Sequence, residues 1–307
     1  MNRRSAATLA QPMPRSHPLA DAAETDSDDL ELVRRIQNGD RDALESLVRR
    51  HQDWVYNIAV RMVYLPEDAE DATQEILIKL LTKLSTFEGR SSFRTWLYRL
   101  VCNHVLNMKR GRADKAEWTF LKYRRELEST PDLELPDPRS VPADVQLLVD
   151  EARIGCTSGM LLCLDREQRL IYILGDIFDV SDRVGAELLE MSRDNFRQKL
   201  SRARRDLHSF MREQCGLVNK ANPCRCAKKT QAFIQAGYVN PQNLLFATTH
   251  VTRVREVSRR VHQDINELDA ACAEIHRDHP FHPAPDFVKA LRDLLDQPRF
   301  RSILEPH

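Results

Sequence analysis

Two closely spaced helix starts constrain the fold of this chain more than any other sequence feature. Ser181 and Ser192 are both good N-cap residues, and each opens a stretch of helical periodicity within SDRVGAELLEMSRDNFRQKLSRARRDL. The apolar positions of the two stretches are Val184, Leu188 and Leu189, and then Phe196, Leu200, Ala203 and Leu207. Two amphipathic helices joined by a turn of about three residues predict a helix-turn-helix.

The second of these helices has an arginine-rich surface. Its N-terminal residues could reach base edges in the major groove of DNA, while arginines along its flank neutralise phosphates. The alternative is a solvated basic helix on the surface of a bundle. Its cationic positions are Arg193, Arg197, Lys199, Arg202, Arg204, Arg205 and Arg212, against only Asp194 and Asp206 between residues 193 and 212.

The composition favours helices in the rest of the chain as well. The 307 residues include 42% hydrophobic residues and only 9 glycines, and Leu, Ala, Glu and Arg are plentiful. A chain of this length holds about two domains. Because no stretch has a convincing strand pattern, we predict an all-α fold. The formal net charge of zero argues against a protein that coats nucleic acid without sequence specificity.

Several classes of protein do not fit the sequence. It has no apolar run of ~18 residues and no signal-peptide core, so we expect a cytoplasmic protein without membrane insertion. The seven cysteines do not form the pattern of a disulfide scaffold. We find neither a nucleophile in a Gly-rich elbow nor a phosphate-binding loop, and therefore expect no enzymatic activity and no required cofactor.

Helical periodicity divides the chain into blocks. Residues 1–27 are predicted to be a disordered tail, and residues 28–112 a first helical domain. Residues 143–214 form a second domain, which contains the helix-turn-helix. A flexible linker over residues 113–142 joins the two domains, and residues 215–307 form a helical extension. The linker is indicated by Pro131, Pro136, Pro138 and Pro142, which prevent a continuous helix.

Two segments taken together resemble a known family. DAEDATQEILIKLLTKLSTFEGRSSFRTWLYRLVCNHVLNMKRGR resembles the second conserved region of bacterial sigma factors of the extracytoplasmic-function (ECF) type. LDREQRLIYILGDIFDVSDRVGAELLEMSRDNFRQKLSRARRDL resembles their fourth region. The order and spacing match a two-domain ECF factor that lacks the large middle region. The resemblance covers roughly residues 30–112 and 143–212, more than half of the chain.

The resemblance implies a sigma factor that binds core RNA polymerase and directs promoter-specific transcription initiation. Promoter DNA is then the second partner, and an anti-sigma factor a further one that the family allows. Family members bind core polymerase through the helix that contains the DAED sequence. An acidic stripe there could pair with basic residues of the polymerase. In this chain the corresponding residues are Asp68, Asp71, Gln74 and Glu75.

The resemblance also places recognition and melting of the minus-ten element in the first domain. Family members hold flipped bases of the non-template strand there, which requires unstacking at a few kcal/mol per base. The loop Phe87–Ser92 and the helix after it match that site. We expect Phe93 and Trp96 to be core residues rather than stacking platforms. The candidate DNA-binding residues are Arg94, Arg99, Asn103, Asn107, Lys109, Arg110 and Arg112.

The helix-turn-helix would then recognise the minus-thirty-five element. Family members usually have Thr-Val-Lys early in the recognition helix, whereas this chain has Asn195, Phe196 and Arg197, a departure that affects the promoter sequence and leaves the fold intact. The candidates for base or nearby phosphate contacts are Arg193, Asn195, Arg197, Gln198 and Lys199. The candidates for phosphate contacts alone are Arg202, Arg204 and Arg205.

One alternative function remains at this stage. A helix-turn-helix transcriptional regulator with a ligand- or metal-sensing C-terminal domain would account for the second domain and the extension. It would leave the first domain unexplained.

The extension contains an unusual cysteine motif and helical periodicity. Cys215, Cys224 and Cys226 lie within CGLVNKANPCRC and could bind zinc, form a redox switch or be structural thiols. A fourth zinc ligand would have to be His208, or come from His250, His262 or Cys272. Helices are expected near residues 228–237, 241–276 and 284–296, and the extension could regulate the protein or only stabilise it.

Overall fold

The computed structural model describes residues 22–141, 143–246, 265–279 and 281–295. These residues form helices and loops and no strand, which confirms the all-α prediction. The helices are α1 (Ala22–Gln37), α2 (Arg41–Val63), α3 (Pro66–Lys83), α4 (Phe93–Asn107), α5 (Arg112–Lys115), α6 (Phe120–Ser129), α7 (Val145–Met160), α8 (Arg166–Tyr172), α9 (Asp182–Leu188), α10 (Arg193–Gln214), α11 (Cys226–Gln235), α12 (Ile265–Arg277) and α13 (Phe287–Leu295).

Contacts group the chain into two compact units. The described residues of 22–119, 161–207 and 284–295 form what we call the N-terminal unit. Those of 120–160 and 208–283 form the C-terminal unit. These boundaries differ from the domains expected along the sequence, because α8, α9 and most of α10 group with α1–α4, whereas α7 groups with the extension.

Local capping explains where the helices of the N-terminal unit begin. Asp40 caps α2 by accepting a hydrogen bond from Ala43 N at 3.0 Å, and Ser92 caps α4 by accepting one from Thr95 N at 3.1 Å. Pro66 occupies the first position of α3, where its missing N–H costs no helical hydrogen bond. Ser181 and Ser192 accept hydrogen bonds from Val184 N and Asn195 N, as the sequence predicts.

The N-terminal tail is shorter than predicted. Helix α1 begins at Ala22, so residues 22–27 are helical and not part of a disordered segment. A long-range contact explains the difference, because Asp26 Oδ1 accepts a hydrogen bond from Phe93 N, at the start of α4, at 3.1 Å.

A buried charged centre joins the first helices. Asp29 of α1 has 0% of its surface exposed. Its carboxylate accepts hydrogen bonds from Arg94 Nε of α4 and Arg50 Nη1 of α2, both at 2.8 Å, and lies 3.3 Å from His51 Nε2. Helices α1, α2 and α4 are thus held by one carboxylate.

Helix α6 lies inside the segment predicted to be a flexible linker. The ring of Phe120 stands 5.2 Å from that of Phe210, and the Tyr123 hydroxyl donates a hydrogen bond to Cys156 O at 2.7 Å. The prediction of a linker over residues 113–142 is therefore wrong for residues 120–129. The prolines lie after this helix, where they leave it intact.

The extension contributes helices to both units. Helix α11 packs against α7 in the C-terminal unit, and the helix expected near 228–237 is thereby confirmed. Residues 241–246 are not helical, α12 covers the end of the expected 241–276 helix, and residues 247–264 lie outside the described residues.

Helix α13, expected near 284–296, belongs to the N-terminal unit. It packs against α2, with the rings of Phe287 and Tyr56 6.3 Å apart. Arg292 and Glu45 form an ion pair across the same contact.

Candidate nucleic-acid interface

Helix α3 presents an acidic stripe to solvent. Asp71, Gln74 and Glu75 are exposed, as their position on the helix predicts. Asp68, in contrast, is half-buried because it packs against the backbone that follows α4. A Cβ on Gly111 in that segment would lie 2.4 Å from Asp68 Oδ2. The stripe therefore consists of three fully exposed residues and one that is partly covered.

A buried histidine lies beneath one end of this stripe. His104 of α4 is buried, with Nε2 3.6 Å from Glu75 Oε2 and Nδ1 2.6 Å from Lys79 Nζ. Burial and the neighbouring Lys79 lower the pKa of His104, and Glu75 opposes them. A neutral imidazole that accepts a hydrogen bond from Lys79 fits this arrangement.

A basic cleft of about 320 Å³ opens between α3 and α4. Lysine and arginine side chains line it together with side-chain amides and an indole ring, which are the groups that single-stranded nucleic acid contacts through phosphates and bases. The sequence-predicted residues Arg99, Asn103 and Asn107 meet here. The lining residues are Lys79, Lys83, Trp96, Arg99, Leu100, Asn103, His104 and Asn107.

Trp96 has a role that the sequence prediction missed. Phe93 is fully buried, as expected, but Trp96 is half-buried and lines the basic cleft. Its ring stands 5.5 Å from that of Phe87 and 5.8 Å from that of Phe93. The core prediction for Trp96 is thus incomplete, since one side of the ring packs on the core and the other borders the cleft.

A second cleft, of about 620 Å³, lies beside the loop that precedes α4. Its walls include Phe87, Gly89, Arg90 and Ser92 from the loop and Arg34 from α1. Gly89 has φ +72°, a left-handed conformation that favours glycine. The loop predicted for minus-ten binding is therefore a defined wall of an open cleft.

Arg94 is wrongly predicted to contact DNA. The side chain is buried and donates to Asp29 through Nε at 2.8 Å. If Arg94 moved away to contact DNA, the buried carboxylate of Asp29 would lose one of its cationic partners, which would destabilise the fold. Arg94 is therefore part of the structural centre of the unit.

The remaining basic residues of the predicted minus-ten surface are exposed and follow the end of α4. Lys109 lies in the loop, Arg110 Nη1 is 3.4 Å from Glu117, and Arg112 Nη2 is 3.2 Å from Glu67. Exposed pairs of this kind are weak, so the arginines can exchange a carboxylate for a phosphate at little cost.

The helix-turn-helix forms around a close helix crossing. Phe196 of α10 is fully buried, and a Cβ on Gly185 of α9 would lie 2.4 Å from its ring. This contact turns the opposite surface of α10 toward solvent. Arg193, Asn195, Gln198 and Arg202 are exposed there, in the positions predicted for DNA contacts.

Four other predicted residues of α10 have acidic partners within the same unit. Arg204 binds the carboxylate of Asp176 through Nε at 2.8 Å and through Nη2 at 2.7 Å. Asp176 is buried, whereas 47% of the Arg204 side chain is exposed, so the phosphate contact of Arg204 stays a prediction. Exposed Arg197 pairs with Asp182, and half-buried Lys199 with Glu167. Arg205 is exposed, and its Nε lies 3.2 Å from Asp206.

Comparison with known proteins identifies part of this surface. Residues 47–114 match the family model Sigma-70 region 2. They include α3, α4 and the loop between them, and hence the acidic stripe and the basic cleft.

After this similarity we call residues 47–114 the region 2 domain.

Curated sigma factors are also similar to part of this chain. The RNA polymerase sigma-H factor of Pseudomonas aeruginosa is 40% identical over 90 residues, 29% of this chain and 47% of the relative. The ECF RNA polymerase sigma-E factor of Escherichia coli strain K12 is 43% identical over 77 residues, 25% of this chain and 39% of the relative. The chain thus spans less than half the length of the curated relatives that it matches. The resemblance to ECF sigma factors that the motifs indicate is confirmed by these matches.

A solved structure also matches, with a TM-score of 0.40 and 23% sequence identity over 60% of this chain and 97% of that chain. It is described as the structure of CnrH in complex with the cytosolic domain of CnrY. Among the described helices, none is long and apolar enough to cross a membrane.

An ion cluster that the sequence analysis missed connects the region 2 domain to α8. Asp114 accepts hydrogen bonds from Arg166 Nη2 at 2.7 Å and from Arg169 Nη1 at 2.9 Å. Arg166 Nη1 also donates to Met108 O at 2.6 Å, and Arg169 donates to Met62 O. Helices α4 and α9 pack against each other nearby, with Arg99 Nε 3.6 Å from Glu190. No local pattern marks these residues, because their partners are remote in sequence.

Proposed function

We propose that this protein is a sigma factor that binds core RNA polymerase and directs promoter-specific transcription initiation. The observation that carries the proposal is the region 2 domain, with an exposed acidic stripe on α3 and a basic cleft between α3 and α4. The arginine-rich helix-turn-helix supplies a second DNA-binding surface. The protein would work in the cytoplasm without catalysing a reaction itself.

The acidic stripe would contact core polymerase. Asp71 and Glu75 are exposed, so they can pair with basic residues of a partner without a rearrangement of α3. Replacing both by lysine should therefore lower retention of the protein on immobilised core polymerase. Glu70→Lys is the matched control, because Glu70 is an exposed acidic residue of α3 outside the stripe. Equal loss in both variants would contradict the assignment.

The basic cleft would hold the opened minus-ten strand. Lys79, Lys83 and Arg99 attract phosphates, Asn103 and Asn107 offer amide donors and acceptors, and the exposed side of Trp96 can stack on a base. Stacking of one base on an aromatic side chain contributes roughly 1–3 kcal/mol. These contacts suit unpaired bases, which present both their faces and their edges.

The recognition helix would contact the minus-thirty-five element. Arg193, Asn195 and Gln198 lie in its first turns, where a major-groove helix meets base edges, and Arg202 lies further along on the flank. Arg197 and Lys199 would have to exchange their carboxylate partners for DNA. The sequence that they recognise depends on this exchange as well as on the helix itself.

Two assays separate this function from that of a helix-turn-helix regulator. A sigma factor should bind core polymerase without DNA and permit run-off transcription from a cognate member of a promoter library. A regulator should bind duplex DNA but neither retain core polymerase nor start transcription. Failure of the full-length protein in both polymerase assays, with intact duplex binding, would replace our proposal by the regulator.

A further inference from the structure

Four cysteines from three segments come together in the C-terminal unit. Cys156 lies in α7, Cys215 directly follows α10, and Cys224 and Cys226 stand at the start of α11. Helices α7 and α11 pack against each other, which brings Cys156 to the CGLVNKANPCRC segment. Cys215 is buried and the other three are half-buried. The sequence motif alone contains only three of these thiols.

The backbone of residues 215–226 is folded tightly around them. A Cβ on Gly216 would lie 2.0 Å from Cys224 O, so only glycine permits this approach of the two ends of the segment. Asn222 Nδ2 donates to Arg212 O at 2.8 Å and to Cys215 O at 3.2 Å. Arg225 Nη2 donates to Lys220 O at 2.7 Å. The loop is therefore fixed by its own polar groups, with Cys215 next to Cys224.

Burial raises the pKa values of the four thiols, and nearby polar groups partly oppose it. These groups are the backbone N–H groups of Leu217 and Val218 for Cys215, that of Gly216 for Cys224, Arg153 for Cys226 and Tyr123 for Cys156. The Tyr123 hydroxyl donates its proton to Cys156 O and fixes the backbone at this thiol. Polar groups of this kind commonly surround metal-bound cysteines.

The four sulfurs also influence one another electrostatically. Burial raises the pKa of Cys156 well above its usual value, and Cys226, Cys215 and Cys224 raise it further. Burial likewise raises the pKa of Cys215 to about 12 and that of Cys226 to about 11. Cys156 therefore lies within electrostatic range of the other three thiols, in agreement with the packing of α7 against α11.

We propose that Cys156, Cys215, Cys224 and Cys226 form a structural zinc site. Four thiolates supply the complete tetrahedral ligand set of a closed site, with no position left for water. The site would carry net negative charge, which Arg153 next to Cys226 and Lys229 near Cys224 would offset. It would fasten α7, the end of α10 and the start of α11 to one another.

Binding requires a local rearrangement of the thiols. Within the ranges that the structure describes, no group of three or more His, Cys, Asp or Glu side chains stands ready to hold a metal ion. Zinc binding would therefore require the cysteine side chains to change rotamer about their Cα–Cβ bonds, so that the four sulfurs face one centre.

Two other candidate ligands are less suitable. His208 is buried, and its Nδ1 lies 3.4 Å from Asp269. Cys272 is fully buried in α12, and of the four proposed ligands only Cys215 is among the main groups that affect its pKa. The other candidates that the sequence suggested, His250 and His262, lie outside the described residues.

Metal analysis of the full-length protein tests this site independently of the sigma-factor proposal. Protein purified without chelators should contain about one zinc per chain. Cys156→Ser and Cys224→Ser should each lower the zinc affinity at least tenfold, as judged by competition with a chromogenic chelator. Cys272→Ser and Cys163→Ser are the matched controls and should retain the wild-type affinity, since neither residue is a proposed ligand.

Substitution with cobalt(II) covers the case in which a serine variant does not fold. The wild-type protein loaded with cobalt should show the intense absorption of a tetrahedral tetrathiolate complex. Less than a tenth of a zinc per chain, iron with sulfide in place of zinc, or a cobalt spectrum without thiolate character would each overturn the proposal. So would a Cys156→Ser variant with unchanged zinc affinity.

Discussion

Asp29 shows how one residue can join three helices. Burial acts to raise its pKa, but hydrogen bonds and charge from His51, together with hydrogen bonds from Arg94 and Arg50, outweigh burial and lower the pKa to about 2. A carboxylate with a lowered pKa stabilises the folded state above its ordinary pKa of 3.8. That stabilisation is lost as the pH falls toward about 2.

Asp29→Asn should therefore destabilise the protein at neutral pH. Removing one partner of a buried ion pair costs about 3–5 kcal/mol, because the remaining charges stay buried. Urea denaturation at pH 7 and at a series of lower pH values would measure this loss. The difference between wild type and variant should shrink as the pH falls from about 4 to about 2.

Asp28→Asn is the control for this experiment. Asp28 neighbours Asp29 in sequence but is exposed, with its carboxylate 3.4 Å from Arg50. Its substitution should change stability by less than about 1 kcal/mol. A difference between wild type and Asp29→Asn that did not depend on pH would contradict the role assigned to the Asp29 charge.

Neighbouring arginines of α10 should differ in function. Both side chains are exposed, but Arg204 also donates hydrogen bonds to buried Asp176. Arg202→Ala should weaken binding to all duplex DNA and lower the slope of log affinity against log salt concentration by about one. Arg204→Ala should in addition lower the free energy of unfolding by about 1–3 kcal/mol, because the buried carboxylate of Asp176 loses its hydrogen-bond donors. Fluorescence anisotropy at several salt concentrations and urea denaturation would distinguish the two.

Long-range partners limit what can be predicted for single residues. The sequence places Arg94, Arg202 and Arg204 alike on basic helices next to DNA-binding positions. Only the fold reveals that Asp29 and Asp176 are buried opposite two of them. Because Asp176 is remote from Arg204 in sequence, the local sequence pattern could not distinguish Arg204 from Arg202.

At the scale of elements, the helix-turn-helix depends on how closely α9 and α10 approach. Gly185→Ala should cost about 1–3 kcal/mol, because the added Cβ would overlap the buried ring of Phe196. Thermal or urea denaturation would measure this effect. Arg183→Ala is the control, because Arg183 is an exposed residue of the same helix. Unchanged stability of Gly185→Ala would show that the helices can separate without cost.

Helix positions follow from the sequence better than helix partners do. Asp40, Ser92, Ser181 and Ser192 cap the predicted helices because capping is a local interaction. The helical start of α1 and the presence of α6 depend on contacts with remote residues. The fourth thiol near the cysteine motif likewise comes from α7, some sixty residues earlier in the chain.

At the scale of the whole molecule, the two surfaces that we propose for DNA binding share the N-terminal unit. Minus-ten and minus-thirty-five elements are about 25 base pairs apart, which is roughly 85 Å along B-DNA. A compact unit of this size is about 40 Å across. The region 2 domain and the helix-turn-helix must therefore separate before both can bind one promoter.

This separation can be measured with labels on exposed positions. Fluorophores at the exposed residues 70 and 183, outside the proposed contact positions, report on α3 and α9, both within the N-terminal unit. Energy transfer between them should fall when core polymerase and a cognate promoter are added. Arg166→Ala should lower the transfer in the unbound protein, because it removes contacts to Asp114 and Met108 O. High transfer in the transcribing complex would contradict the predicted opening.

The packing of α13 on α2 has a consequence for synthesis on the ribosome. Tyr56 and Glu45 emerge long before their partners Phe287 and Arg292 have been translated. At about 5–20 residues per second, translation of the intervening chain takes roughly 10–45 s. The nascent region 2 domain must spend that time with this face of α2 uncovered, and a chaperone could bind it only during that interval.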